Sequence, residues 1–469
     1  MHVSGIRRLL VLVCLPVILA GCASLAPDQS LERVSQASTT LTDGHSLKFV
    51  ENRADPVAKE HIDSLLADPL TLEAAVEIAL LNSPGLQASL FDLGIADAER
   101  VQASRLPNPG FSIGRYTQGS EVEWERGLHL NLARLISLPM TQRIAAGQSE
   151  QVEREVSLTV MRLATEARIA WYRAVAAEQS LAYSKQVMEA ADAAAELARR
   201  MAGVGNFNAL QQAREQTFYA DAALGLLQAE RERTASREAL IRTLGLWGDQ
   251  LEFALPQRLP DLPEEALAQP EIERQAMASR LDVQAAQLNT TRMADALSLG
   301  RATRFINVLE LGLEHSSSNE DAVKRGVEIS VELPLFDWSG SRMARNEAVY
   351  MQAVHRTAEV AINARSQVRE SYQVYRSSWD VAAHYRDEIV PLRKRISEEQ
   401  LLRYNAMFVS VFDLLADARE QIATVNSYVQ AQRDFWVAQA ELDLVRYGPV
   451  SPSQTVVSTA SVSTRAKGH

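Results

Sequence analysis

Cys22 is the side chain whose surroundings point most directly to a chemical reaction. It closes the tetrapeptide Leu-Ala-Gly-Cys at 19–22, after an apolar run at 9–20 that Arg7 and Arg8 precede. The run is shorter than the roughly 20 residues of a membrane-spanning helix, and the small residues before the cysteine suit peptidase cleavage. A cysteine thiolate is nucleophilic enough to take an acyl-glyceryl group. The sequence therefore predicts a signal peptide that is removed and a lipidated Cys22.

The setting of Cys22 resembles the lipid-acceptor site of bacterial lipoproteins. Acyl chains such as palmitate, at about 0.8 kcal/mol per buried methylene, would hold the mature N-terminus in a bilayer. Residue 23 is Ala rather than the Asp that resembles an inner-membrane retention signal, which favours the cell outer membrane. The alternative interpretation is an ordinary signal peptide that happens to contain a cysteine.

Composition argues against catalytic, metal-binding and nucleic-acid-binding functions. The chain has two cysteines, Cys14 and Cys22, so neither a structural disulfide nor a cysteine-based metal site is expected. The eight histidines lack metal-ligand spacing, and the sequence has no Gly-rich phosphate loop and no nucleophile elbow. The net charge is −11, and no basic cluster is interleaved with aromatic residues. We therefore expect no enzyme activity, no cofactor and no nucleic-acid partner.

The sequence contains an internal repeat of about 200 residues. The segment after Gly127 matches the segment after Gly326 without a gap, at an offset of 199. Residues 203–216 match 408–421 at an offset of 205, and Gln-Ala at 87–88 matches 284–285 at 197. Because three anchors occur in the same order with little drift, two structural repeats are predicted.

Each repeat is predicted to contain a helix, two strands, a very long helix, a short break and another helix. The segment 341–390 has no Gly and no Pro, so the second long helix is expected to break at Pro391. In the first repeat 143–200 contains only Gly147 as a helix-disfavouring residue. Such helices would be about 75 to 90 Å long and would require coiled-coil-like partners.

The strands are predicted from alternation of aliphatic and polar residues. The aliphatic positions of the clearest strands are Leu128, Leu130, Leu132, Leu309, Leu311, Leu313, Val327, Ile329, Val331 and Leu333. The polar positions between them include His129, Asn131, Glu328, Ser330 and Glu332. Polar loops are expected at 117–126 and 315–325. Each repeat then offers one hairpin of strands long enough to cross a bilayer when tilted.

Four strands cannot close a barrel, and an open sheet edge in lipid leaves backbone groups unpaired. The chain is therefore expected to oligomerise. Two copies would give eight strands and a lumen filled by side chains, whereas three copies give twelve strands and a wet lumen. The predicted pore-lining residues are His129, Asn131, Glu328, Ser330 and Glu332. A pore-free, periplasm-spanning coiled-coil scaffold is the alternative, but it leaves both hairpins unexplained.

From Pro69 to Gly448 the chain resembles the TolC-type outer-membrane factors. The resemblance rests on Leu-Thr-Leu-Glu-Ala-Ala at 70–75, Asn-Pro at 108–109, Arg-Leu-Asp at 280–282, Glu-Leu-Pro-Leu-Phe-Asp at 332–337 and the paired tips. It implies a mostly α fold with a homotrimeric, 12-stranded outer-membrane β-barrel, to which each chain gives four strands, continued by a periplasmic α-helical barrel. It also implies passive export of substrates from a periplasmic adaptor and an inner-membrane pump of the RND type, with protein secretion as the alternative. Residues 428–442 look closest to members encoded with heavy-metal or cation pumps.

By the same resemblance, the helix breaks at 203–208 and 405–413 are the periplasmic tips that meet the adaptor and close the tunnel. The tip residues are Gly203, Val204, Gly205, Asn206, Asn208, Phe408, Ser410 and Asp413. Asp413 has two interpretations, an acidic ring that favours cations or a helix-capping acid. The second aspartate expected three residues later is replaced by Ala416, with Asp417 displaced by one position, which weakens a two-ring gate.

The predicted organisation is a signal peptide at 1–21 and a lipidated linker at 22–68, followed by the first repeat at 69–247. An equatorial connector at 248–269 leads to the second repeat at 270–448, and a disordered tail occupies 449–469.

Overall fold

The structure, a computed structural model, describes residues 27–45, 47–49, 56–268, 271–304, 308–332 and 338–450. The predicted signal peptide, Cys22, the strand exit at 333–337 and most of the predicted tail lie outside these ranges.

Long helices and one small sheet make up the described chain. The elements of the N-terminal half are α1 (Pro27–Ser38), α2 (Pro56–Leu66), α3 (Leu72–Asn82), α4 (Pro84–Ser104), β1 (Gly110–Gln118), β2 (Glu121–Asn131), α5 (Leu132–Gly203) and α6 (Ala209–Leu244). Those of the C-terminal half are α7 (Ile272–Ser279), α8 (Leu281–Ala302), β3 (Leu309–Ser318), β4 (Lys324–Val331), α9 (Gly340–His384), α10 (Val390–Asn405) and α11 (Val411–Val445). The two halves repeat the same order of helix, hairpin, long helix and returning helix, as predicted.

Helix and strand positions correct one part of the repeat alignment. The start of α4 corresponds to that of α8 at the predicted offset of 197, and β1 corresponds to β3 at an offset of 199. At the tips, however, the capping residues Asn208 and Ser410 differ by 202, and so do the positive-φ residues Gly205 and Met407. The offset of 205 predicted for the tips is therefore wrong by three residues. The offset of 205 aligns the identical Ala-Arg-Glu-Gln segments of the two repeats. The helix caps, however, show which residues are structurally equivalent.

The sheet has the order β1-β2-β3-β4 and is antiparallel throughout. Leu128 of β2 lies opposite Phe111 of β1 and Leu313 of β3, and Leu313 lies opposite Val327 of β4. Both predicted hairpins are therefore confirmed, and the two repeats join through the β2–β3 pair. Within the described residues, the outer edges of β1 and β4 pair with no further strand.

The first long helix begins earlier than its pattern predicts. Asn131 caps α5 by accepting a hydrogen bond from the backbone N–H of Arg134 at 2.8 Å. Leu132, predicted as a strand position, is consequently the first helical residue, because a capped helix start has to leave the strand conformation. The helix has 72 residues and continues past Pro139. At 1.5 Å per residue it is about 108 Å long.

The second long helix does not break at Pro391. Residues Tyr385–Ile389 form one π turn, in which the N–H of Val390 donates to the carbonyl of Tyr385, and α10 continues through Pro391. A proline inside a regular helix lacks a donor and clashes with the carbonyl four residues earlier. The wider π turn shifts those carbonyls and lets the helix pass the proline.

The chain between α6 and α7 is fixed to the long helices by indole and phenol groups. The indole N–H of Trp379 donates to the carbonyl of Pro263 at 3.2 Å, and that of Trp436 donates to Pro260 at 3.1 Å. The hydroxyl of Tyr375 accepts the N–H of Leu267 at 2.9 Å. These bonds satisfy the backbone of an irregular segment that covers the helices at mid-length.

Arg280, in the Arg-Leu-Asp motif, is 1% exposed and has its charge compensated. Its guanidinium forms a bidentate pair with Asp282, at 2.9 and 2.7 Å, and also donates to the carbonyl of Val445 and to Gln367. A buried guanidinium is tolerated where its donors find such partners. The motif thus joins the start of α8 to α9 and to the end of α11.

Candidate functional site: the two-faced sheet and the helical tips

One face of the sheet is polar and predominantly acidic. Directly opposed residues of an antiparallel sheet point to the same side, so the register assigns each side chain to a face. His129 and Glu328 share one row through Gly312, and Asn131 and Ser330 share the next through Glu310. These four predicted pore-lining residues therefore lie on one face. Glu332 follows the end of β4, where its N–H donates to the carbonyl of Val308 at 3.3 Å.

Further acids share this face. Glu123, Glu125 and Glu314 occupy alternate positions on β2 and β3, in register with His129 and Glu310. The sequence prediction omitted Glu123 and Glu125 because it assigned 117–126 to a loop. Pairing across four strands shows instead that β2 begins at Glu121 and β4 at Lys324. The predicted loops at 117–126 and 315–325 are therefore mostly strand.

Glycines make room for the His129 ring on the polar face. A Cβ at Gly127 would lie 2.7 Å from Nε2 of His129, and one at Gly312 would lie 3.2 Å from its Nδ1. The ring is hydrogen-bonded to the hydroxyl of Ser112 at 3.0 Å. His129 therefore lies along the sheet, over two residues without side chains.

The opposite face carries an apolar band. Its members are Phe111, Ile113, Leu128, Leu130, Leu309, Leu311, Leu313, Val327, Ile329 and Val331. The side chains of β4 are well exposed, with Val327 at 69% and Ile329 at 65%. A contiguous apolar patch of this kind marks a membrane or protein contact.

Beyond the leucines and valines of the apolar band, the same face has a row that begins with Ile113 on β1 and is otherwise basic. Arg126 of β2 lies opposite His315 of β3, which in turn lies opposite Arg325 of β4. Arg115 lies one row further out and packs over the indole of Trp124 at 5.7 Å. This row was not predicted from the sequence, because all three of its basic residues lie in segments that the sequence pattern assigns to loops.

The two helical tips have the same construction at equivalent positions. Asn208 accepts from the N–H of Gln211 at 2.9 Å, and the Gln211 side chain accepts from the N–H of Asn208 at 3.0 Å. Ser410 and Asp413 form the corresponding capping box, in which Asp413 accepts from the Ser410 N–H at 3.0 Å and hydroxyl at 2.7 Å. These bonds from the Ser410 hydroxyl and backbone lower the pKa of Asp413 below its usual value. The capping interpretation of Asp413 thus has direct geometric support, and its gating role stays a prediction.

Exposed apolar side chains surround these caps. Val204 is 72% exposed, Phe408 is 83% exposed and Met407 is 92% exposed. Met407 has a φ of 62°, a left-handed conformation in which a residue with a Cβ is strained. Gly203, Gly205 and Asn206 complete the other tip. The tip residues therefore form a solvent-facing surface at one end of the molecule.

Asp417 is buried, with only 7% of its surface exposed. Its equivalent in the first repeat is Glu215, which is 3% exposed and forms an ion pair with Arg419. Because both acids are packed inside the chain, Asp417 does not supply the missing second acid at the exposed tip.

The described ranges contain neither a membrane-spanning helix nor a cluster of side chains placed to bind a metal ion. No helix there is long and apolar enough to cross a membrane. In the same part of the chain, no group of three or more His, Cys, Asp or Glu side chains is placed to hold a metal ion.

Comparisons with known proteins agree on the architecture. No family model matches the chain. The cobalt-zinc-cadmium resistance protein CzcC of Cupriavidus metallidurans is 24% identical over 286 residues, which cover 58% of this chain and 64% of CzcC. The chain thus aligns with less than two thirds of that relative's length.

Solved structures match over longer segments. The crystal structure of CusC, described in terms of transmembrane channel formation, has a TM-score of 0.64 and 15% identity, covering 82% of this chain and 94% of CusC. The outer-membrane channel OprN has a TM-score of 0.67 and 16% identity, covering 86% and 95% of the two chains. Together with the repeated hairpins and long helices, these likenesses show that the chain has the fold of the TolC-type outer-membrane factors.

Proposed function

We propose that the protein is a passive outer-membrane channel that functions as a homotrimer in a tripartite export system. The observation that carries this proposal is a four-stranded sheet with one apolar face, one acidic face and unpaired outer edges on β1 and β4. In lipid every backbone group needs a partner, so the edges require further strands from other copies. Three copies supply twelve strands and a water-filled interior lined by the acidic face.

The long helices support a conduit rather than a surface anchor. The α5 helix is about 108 Å long, and α4, α6, α8 and α11 pack against it. Three such bundles would continue the sheet as an α-helical barrel across the periplasm. Energy for transport would come from an inner-membrane pump of the RND type through a periplasmic adaptor. The exposed tip residues Val204, Met407 and Phe408 offer that adaptor an apolar contact surface.

We further propose that the substrates include cations. The support is the row of acids on the polar face, such as Glu125, Glu314 and Glu328, and the name of the relative CzcC. An acidic lining raises the local cation concentration inside a narrow lumen. Loss of the gene should therefore increase sensitivity to divalent metal ions, and unchanged sensitivity would contradict this substrate class.

The N-terminus is proposed to be anchored by lipid at Cys22. Intact-mass analysis of the mature protein should give a chain that begins at Cys22 and carries acyl groups. The Cys22→Ser variant should lose the lipid and keep its assembly, since the sheet inserts independently. An unmodified N-terminus at another residue would exclude the anchor.

The channel itself is tested with the full-length mature protein purified in detergent. We expect a trimer by native mass spectrometry and cation-preferring conductance in planar bilayers. A monomer, or a trimer that inserts without conductance, would instead favour the pore-free scaffold.

A further inference from the structure

The basic row, defined as Arg126, His315 and Arg325, brings three cationic or titratable side chains together on the apolar face of the sheet. They occupy directly opposed positions on β2, β3 and β4, where Cβ atoms are about 4.5 to 5.5 Å apart. Arg126 and Arg325 are exposed and His315 is half-buried. Three neighbouring strands thus present one continuous basic surface.

Within the part of the chain that the structure describes, no acid compensates this charge. The acids of the same strands, such as Glu125 and Glu314, alternate with the basic residues and therefore point to the opposite face. Among the described residues, Arg126, His315 and Arg325 have no ion-pair or hydrogen-bond partner, whereas the neighbouring Lys324 pairs with Asp321 at 3.2 Å. Arg126 and Arg325 flank His315 on either side, so the two guanidinium groups place like charges on one row with no acid between them. The row is therefore best explained by an anionic partner outside the chain.

The position of the row indicates where that partner lies. From Leu309 to His315 the strand rises about 20 Å, at 3.4 Å per residue, along an uninterrupted apolar band. The row thus borders apolar surface on one side, and on the other it is followed by Trp124 and Arg115. An aromatic and basic margin beside an apolar band is typical of a membrane–water boundary.

We propose that the basic row binds the phosphate group of a phosphorylated membrane lipid, whose acyl chains lie along the adjoining apolar band. The proposal rests on the proposed function, because it requires the sheet to span a membrane. Guanidinium groups bind phosphate through paired N–H donors, and two arginines flanking an imidazole can surround one phosphate. A lipid is preferred over a free phosphate ion because the row and the apolar band form one surface that fits both parts of an amphiphile.

The test uses the full-length mature trimer in a neutral detergent, followed by native mass spectrometry during titration with dioleoyl phosphatidic acid. Dioleoyl phosphatidylcholine tests whether an unshielded phosphate is needed, and inorganic phosphate tests the free anion as a competitor. The variant is Arg126→Gln/Arg325→Gln. Its matched control is Lys324→Gln, which removes a neighbouring positive charge from the opposite face of the same strand.

We expect the wild type to retain one phosphatidic acid per subunit in preference to phosphatidylcholine, and inorganic phosphate to leave this retention unchanged. The double variant should bind phosphatidic acid at least about tenfold more weakly, because it loses two guanidinium groups and even one charge-assisted hydrogen bond contributes severalfold or more. Lys324→Gln should behave as the wild type. If the double variant does not assemble, Arg325→Gln alone should still weaken retention severalfold.

Equal retention of both lipids, equal retention by the variants and the wild type, or displacement by inorganic phosphate would overturn the lipid site. If one of these three outcomes is found and the trimer still conducts in planar bilayers, the lipid site is wrong and the proposed channel function stands. If the wild type forms no channel, the proposed function fails and the lipid site with it.

Discussion

At the scale of single residues, one acid at the tips has a structural role that its hydrogen bonds support and a role in transport that we propose. Asp413 receives two hydrogen bonds from Ser410, on the same carboxylate oxygen, and its pKa is lowered by them. The side chain is therefore ionised at neutral pH, and three copies near the axis of a trimer would form a negative ring. The pattern Ser-x-x-Asp predicts the cap from sequence. The ring cannot be predicted from one chain, because it depends on the symmetry axis.

Replacing Asp413 separates the two roles. Asp413→Ala should lower cation preference in planar-bilayer recordings, leave trimer yield unchanged and cost about 1 kcal/mol of local helix stability. Asp413→Asn retains an acceptor oxygen, so it should lower cation preference with a smaller loss of stability. The matched control is Gln211→Ala, which damages the equivalent cap without changing charge. If selectivity is unchanged in both Asp413 variants, the residue is a cap only.

Asp443 should make stability depend on pH in a defined direction. It lies on α11, where burial raises its pKa above the usual 3.8. Three smaller effects lower the pKa: a hydrogen bond of 3.2 Å from Gln439 to the carboxylate, and the positive charges of Arg168 and Arg446. A carboxyl group whose pKa is raised on folding binds protons more tightly in the folded state. Its contribution to stability is therefore lost as pH rises from 3.8 through the raised pKa.

Asp443→Asn should remove this part of the pH dependence. Above the raised pKa, the variant should unfold at the same or a higher temperature than the wild type, because no charge is buried. Thermal unfolding of the detergent-solubilised protein across that pH range provides the measurement. A wild type that becomes more stable with rising pH relative to Asp443→Asn would contradict the assignment.

At the scale of elements, sequence alternation located the strands where one face is aliphatic and failed where both faces are polar. Leu309, Leu311 and Leu313 alternate with polar residues and were correctly assigned to β3. The outer half of the same strand, from His315 to Ser318, has no apolar period, so it resembled a loop. Cross-strand pairing, which a local pattern does not contain, extends the strand to Ser318. The π turn before Pro391 was not predicted either, because a proline normally ends a helix.

Adjacent residues of β4 should respond oppositely to the same substitution. Ile329→Lys places a charge on the apolar face and should cost roughly 2 to 4 kcal/mol per chain if that face contacts the middle of the bilayer. Glu328→Lys is the matched control on the polar face; it should preserve assembly and reduce cation preference. Folding into liposomes, followed by conductance, measures both effects. Equal insertion of both variants would contradict the assignment of the apolar face to lipid and of the polar face to the lumen.

At the scale of the whole molecule, the two repeats are held together at three levels. The β2–β3 pair joins them within the sheet. At mid-length the connector before α7 bonds to both, through Gln179 of the first repeat and through Trp379 and Trp436 of the second. Near the tips, Arg419 of α11 reaches Glu215 of α6. Internal similarity in the sequence predicts two repeats, but it contains no information on these cross-repeat contacts. They depend on pairs that are far apart in the chain and that differ between the repeats.

The Arg419–Glu215 pair is expected to hold the two helical hairpins together near the tips. Glu215 is 3% exposed, and the guanidinium of Arg419 also packs over Phe218 at 4.3 Å. Arg419→Met would leave a buried carboxylate without its partner, which should cost about 3 kcal/mol, whereas Arg419→Met/Glu215→Leu should recover most of that loss. The control is Arg403→Gln, whose pair with Glu399 is exposed and worth at most about 1 kcal/mol. Thermal unfolding gives the overall effect, and hydrogen exchange of α6 and α11 shows whether the hairpins separate first at the tips. A double variant less stable than Arg419→Met would mean that the pair contributes through other contacts of Glu215, and not through compensation of its charge.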